Sequence, residues 1–144
     1  MPYIKIWIHA VWTVKNREKI LEKGVREEIF NHILQNAKEK GILIDVVNGH
    51  LDHVHCLFRL KNDQTIQKIM QLIKGESAFW INRNMNLNQK LKWQDEYFAV
   101  SVSESQVEKV RNYIKNQEEH HRKKSFDEEY DQFIRKYGFH TYEG

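Results

Sequence analysis

A chain of 144 residues, 40% hydrophobic and 12% aromatic, is long enough for one domain around one main core. Its formal net charge of +3 permits phosphate binding without demanding it. A lone cysteine, Cys56, excludes an internal disulfide and suits a reducing compartment. No apolar run approaches the ~20 residues of a membrane span, and Lys5 and His9 interrupt any secretory pattern, so a cytoplasmic protein is expected.

Tyr3 to Val14 is β-branched and aromatic with partial alternation, which predicts a strand. Ile4, Ile6, Ile8 and Ala10 share one face; Lys5, Trp7, His9 and Val11 share the other. A basic loop follows at Lys15, Arg17 and Lys19. Apolar residues at helical spacing then run from Val25 to Lys40, and Gly41 is a normal stop. Ile42 to Val47 predicts a second strand, Asn48-Gly49 a tight turn, and His53 to Leu60 a third strand. Asp63 or Thr65 can cap a second helix carrying Ile66, Ile69, Met70 and Ile73, with a possible break at Gly75. A polar loop is expected over Asn82 to Lys92 and a fourth strand over Tyr97 to Val102. Two capping-box spacings, Ser103-x-x-Gln106 and Ser125-x-x-Glu128, open two final helices; Gly138 should end the second.

This order predicts an α+β fold, a ferredoxin-like βαββαβ antiparallel sheet with additional C-terminal helices. A single domain spans 1–144: core 3–102, tyrosine helix 103–121, last helix 125–138. Helices cover one sheet face, leaving the other for a ligand or an added C-terminal helix.

His53-Val54-His55 stands out. Strand alternation puts both imidazoles on one face, and Val54 and Cys56 on the other, toward the core. Two neutral imidazoles form an open, partial metal site that needs a further ligand. Their side chains are expected to face solvent or a ligand. Far downstream, Tyr113 and Gln117 lie one helical turn apart, on a face ending in His120 and His121.

The strand His53-Val54-His55, with Tyr113-Ile114-Lys115-Asn116-Gln117-Glu118-Glu119-His120-His121 downstream, resembles the HUH superfamily of single-strand DNA endonucleases. Within it the chain resembles the small single-tyrosine transposases of bacterial insertion sequences and their REP-associated relatives. Ala10-Val11-Trp12-Thr13, Ile73-Lys74-Gly75-Glu76-Ser77 and Tyr97 to Ser105 agree with that pattern. Leu51 departs from it where many relatives have proline, and Cys56 where leucine is usual.

The resemblance implies a DNA transposase in which Tyr113 attacks a phosphodiester of single-stranded DNA, giving a 5′-phosphotyrosine link and a free 3′-hydroxyl. It implies that His53, His55 and Gln117 bind a divalent ion, magnesium or manganese. It also implies a substrate with hairpin-forming ends, a homodimer in which one chain's histidines can work with the other chain's tyrosine, and work at the nucleoid of a bacterial or archaeal cell. Two rival readings remain: a domesticated repeat-associated nickase, and a non-catalytic RRM-like nucleic-acid-binding module.

Lys15, Arg17, Lys74 and Arg83 are candidates for DNA contact, although such residues are often simply solvated. Asp52 could orient a histidine or be a plain loop residue. His120 and His121 are read as supporting groups, His9 as structural, and Phe126, Tyr130, Phe133 and Tyr137 as packing or dimer contacts.

Overall fold

Strand β1 (Ile6–Thr13) lies at the centre of a four-stranded antiparallel sheet ordered β2-β3-β1-β4, with β2 at Leu43–Gly49, β3 at His53–Leu60 and β4 at Phe98–Val102. The structure, a computed structural model, describes residues 2–137; Gly138, and the side chain of Tyr137, lie outside the described residues. The helices are α1 (Lys23–Glu39), α2 (Ile66–Asn84), α3 (Val107–Lys115), α4 (Gln117–Lys123) and α5 (Phe126–Tyr137). The predicted ferredoxin-like α+β core is therefore present. Among the described residues no helix is long and apolar enough to cross a membrane.

Alternation along the strands sorts the interior into two layers. Ile8, Ala10 and Trp12 of β1 pair with Phe58, Cys56 and Val54 of β3, and these six side chains form one core with Ile29 and Ile33 of α1 and Ile69 and Met70 of α2. Each such large apolar side chain contributes about 2 kcal/mol by leaving water. Trp7, Leu57 and Val102 point to the opposite face, where Val107 and Ile114 of α3 cover them. The same face carries His9, His53 and His55.

Three local expectations differ from the fold. Asn48-Gly49 is not a turn: β2 continues through Gly49, and the chain reverses over residues 50–52. A Cβ on Gly49 would lie 2.1 Å from the carbonyl oxygen of His53, so this glycine serves close backbone approach. Helix α2 runs unbroken through Gly75 to Asn84, capped by Thr65, whose side chain accepts from the Lys68 N–H. Third, Ser103 makes no side-chain cap; a short 3-10 turn at Glu104–Gln106 precedes α3 instead.

The tyrosine helix is also not continuous. It breaks at Asn116 (φ −99°, ψ 27°) between α3 and α4. The Asn48 amide donates to the carbonyls of Ile114 (3.0 Å) and Lys115 (3.1 Å), satisfying the last turn of α3 from the edge of the sheet. A residue expected to make a hairpin turn therefore ends a helix that is distant in sequence.

Candidate metal and nucleophile centre

The β2–β3 connection is held tightly. Val14 N–H donates to the carbonyl of Asp52 at 2.8 Å, and Leu21 N–H to that of Leu51 at 2.9 Å. This brings the buried Asp52 carboxylate 2.9 Å from Nδ1 of His53, and Nε2 of His53 points away from Asp52. Nδ1 of His55 lies 2.9 Å from Nε2 of His9, an imidazole contact across the sheet that ties His9 to the pair.

His53 and His55 do not face solvent. They are 0% and 1% exposed, because α5 lies over them. Ser125 starts that helix by accepting from the Glu128 N–H at 3.2 Å. Phe126 stacks on His53 with ring centroids 4.0 Å apart, and Phe133 meets His9 edge-on at 5.8 Å. Between them on the same helical face is Glu129, which the sequence reading did not single out. Phe126, Glu129, Tyr130 and Phe133 fall at i, i+3, i+4 and i+7, so an acid within an apolar stripe was the available signal.

Glu129 is the hub. Its Oε1 lies 3.0 Å from His55 Nε2, and its Oε2 lies 3.8 Å from His53 Nε2 and 2.9 Å from His121 Nε2. The Tyr113 hydroxyl donates to the same carboxylate and lies 3.5 Å from Nε2 of His120. Gln117, fully buried, places Oε1 3.2 Å from both His53 Nε2 and His121 Nε2. Its amide N–H group reaches back to the Tyr113 carbonyl at 3.3 Å, preserving the one-turn relation across the break.

Electrostatics follow from this crowding. Burial pushes His9 down to about 3, aided by its neighbour His55. Burial likewise pushes His55 down to about 4, against the upward pull of Glu129. Burial alone would raise the Glu129 carboxyl, but His121, His55 and Tyr113 together hold it well below the usual carboxylate range. His120 is lowered chiefly by burial. His9 and His55 are thus neutral imidazoles beside an anionic carboxylate.

These residues fit a divalent ion. His53, His55 and Glu129 each offer one ligand atom, all within 4.8 Å of one another. An octahedral shell with bonds of about 2.1 Å has edges of about 3.0 Å, close to the 3.0 and 3.2 Å contacts here. His55 Nε2 and Glu129 Oε2 are buried without a hydrogen-bond partner, although short contacts surround them. A buried polar atom without a partner calls for one, and a cation held between these two groups would supply it.

The basic candidates lie elsewhere. Arg17 pairs with Asp127, and its guanidinium sits 4.8 Å from the Phe126 ring centre and 5.1 Å from that of Tyr130, fastening the start of α5. Lys15 is exposed in the same 3-10 turn. Lys74 donates to the carbonyls of Gln94 (2.7 Å) and Asp95 (2.9 Å), and Arg83 lies over Phe79. Both belong to α2, on the far side of the sheet from the histidine pair.

The model of the family described as "Transposase IS200 like" matches residues 3–117. The chain belongs to the IS200-like transposases. It is 28% identical over 118 residues to the ISDra2 transposase TnpA of Deinococcus radiodurans, covering 76% of this chain and 81% of that protein. A crystal structure of a D. radiodurans R1 protein described as a candidate transposase superposes with a TM-score of 0.65 at 24% identity, over 81% of this chain and 93% of that one. A REP-associated tyrosine transposase bound to a REP hairpin superposes at 0.55 with 16% identity, over 81% and 67%. For an IS200-like chain the family match ends at the residue that carries the amide, so α5 and Glu129 lie beyond it.

Proposed function

We propose that this IS200-like transposase is an HUH-type enzyme that cuts and rejoins single-stranded DNA, with Tyr113 as nucleophile. One observation carries the reading: the Tyr113 hydroxyl and the His53/His55 pair meet at the Glu129 carboxylate within a single chain. DNA as the substrate is carried over from the relatives, one of which is bound to a REP hairpin.

In this reading Tyr113 attacks the scissile phosphorus, its oxygen forms the new P–O bond, and the bond to the 3′-oxygen breaks. The 5′-phosphotyrosine link conserves the bond, so rejoining to another 3′-hydroxyl needs no nucleotide cofactor. The phenol, with an ordinary pKa near ~10, must lose its proton on attack. Glu129 is a poor acceptor, since its neighbours favour its anion so strongly; its part is to hold the hydroxyl in place. His120, lowered by burial and so neutral at pH 7, is the better acceptor, and its 3.5 Å contact needs only a small closure. Asp52 and His9 fix the two ligating rings.

His53, His55 and Glu129, with Gln117 beside them, would hold magnesium or manganese. Such an ion supplies charge to polarise the phosphate and to stabilise the leaving 3′-oxygen. A homodimer is expected from the resemblance.

The test is one denaturing gel. Labelled single-stranded DNA carrying element ends is incubated with wild type and Tyr113→Phe, with and without manganese. A denaturation-resistant adduct is expected only for wild type with metal, while the variant still binds DNA. Adduct formation by Tyr113→Phe would overturn the assignment.

A further inference from the structure

Beside Tyr113 is a cavity of about 490 Å³, inside the ~300–1,000 Å³ range of small-molecule sites. Tyr113, His120 and Glu129 all line it, so it opens onto the candidate nucleophile. His9, which holds the His55 ring, lines it too, and the rest of its lining takes no part in the chemistry above. Ser103 and Gln106 come from the segment after β4, Lys109 from α3, and Gln132 and Lys136 from α5. Val102 and Phe133 add an apolar wall, and Glu129 is the one acid among the lining residues.

That composition matches a nucleotide. A base needs a flat apolar surface for its ring and neutral donors and acceptors for its edge, and its phosphates need cations. The two lysines suit the phosphates. The two glutamine amides suit the edge, because an amide presents a donor and an acceptor side by side. The Lys124 ammonium donates to Oε1 of Gln132, which commits that oxygen and leaves the NH₂ group to meet an acceptor on the base. Both glutamines are exposed, so neither is needed to fill the core.

We infer that this cavity seats the nucleotide adjoining the scissile phosphate, with Gln106 and Gln132 selecting its base and Lys109 and Lys136 holding the flanking phosphates. The inference rests on Tyr113 being the nucleophile. It assigns part of the cleavage-site preference to protein side chains.

A pool of single-stranded oligonucleotides with a randomised core tests it. Wild type, Gln106→Leu and Gln132→Leu are each incubated with the pool and manganese, adducts are isolated under denaturing conditions, and both fragments are sequenced outward from the break. Wild type should enrich one base about tenfold at a position next to the break. Each leucine variant should flatten that position to within about threefold while preferences farther away persist. Equal enrichment in wild type and both variants overturns the inference and leaves the nucleophile intact. No adduct from wild type overturns both. As a readout independent of cleavage, Tyr113→Phe should bind the enriched oligonucleotide about tenfold more tightly than its single-base variants, and Tyr113→Phe/Gln132→Asn should lose that difference. Equal affinities in Tyr113→Phe would overturn the inference.

Discussion

The hydroxyl of Tyr113 donates to the carboxylate of Glu129, and that carboxylate also lies 3.0 Å from the His55 imidazole. One acid on the last described helix thus joins the nucleophile to the ligand pair. Glu129→Gln keeps the shape and removes the charge. It should weaken manganese binding by roughly tenfold or more, as read by calorimetry on the DNA-free protein. Unchanged affinity would remove Glu129 from the ligand set.

His53 is sandwiched between Asp52 and Phe126 with no solvent exposure. His53→Ala should therefore do more than abolish metal binding. It leaves a cavity against Phe126 and a buried carboxylate without its partner, at a cost of about 2–4 kcal/mol. Urea unfolding of the metal-free variant measures this. A change below about 0.5 kcal/mol would mean that the ring sits in a yielding, solvated setting.

Gly49 is limited by space. A methyl group there would meet the backbone of His53 at 2.1 Å and of Val54 at 3.0 Å, and neither can move without shifting β3. Gly49→Ala should cost about 2 kcal/mol or more and weaken metal binding by displacing His53. A variant with wild-type stability would show that the β2–β3 connection tolerates expansion.

Acid should destabilise the metal-free protein early. The folded values of His9 and His55, about 3 and about 4, lie below the unfolded value of 6.5. Between those limits the unfolded chain binds more protons, so stability is full above pH 6.5 and falls as pH drops toward 4. Glu129 acts in the same direction, its contribution fading below its ordinary 4.5. The loss from His55 alone is on the order of 3 kcal/mol. Thermal melts in chelator at pH 7.5 and pH 5 should separate clearly; coincident melts would mean that the imidazoles protonate freely when folded.

Much of this centre was legible because it depends on short-range geometry. A period of two places His53 and His55 on one face and Val54 and Cys56 on the other, and β3 begins and ends where the pattern says. A period of 3.6 brings Gln117 back over Tyr113, and the amide still reaches the Tyr113 carbonyl despite the interruption at Asn116. The order of elements was enough for the ferredoxin-like sheet.

What periodicity could not carry was the meeting of distant surfaces. Asn48 has the residue type of a turn, and only the position of α3 against the edge of β2 makes it a helix terminator. Glu129 reads locally as one acid among several in the first turns of α5. Its role arises because α5 packs by its Phe126–Phe133 stripe onto the open face of the sheet, burying the histidines and carrying the carboxylate between them and Tyr113. Local sequence decides which way a side chain points relative to its own backbone; which groups it then touches is decided by how helices and sheet dock, a choice spread over many weak contacts along the whole chain.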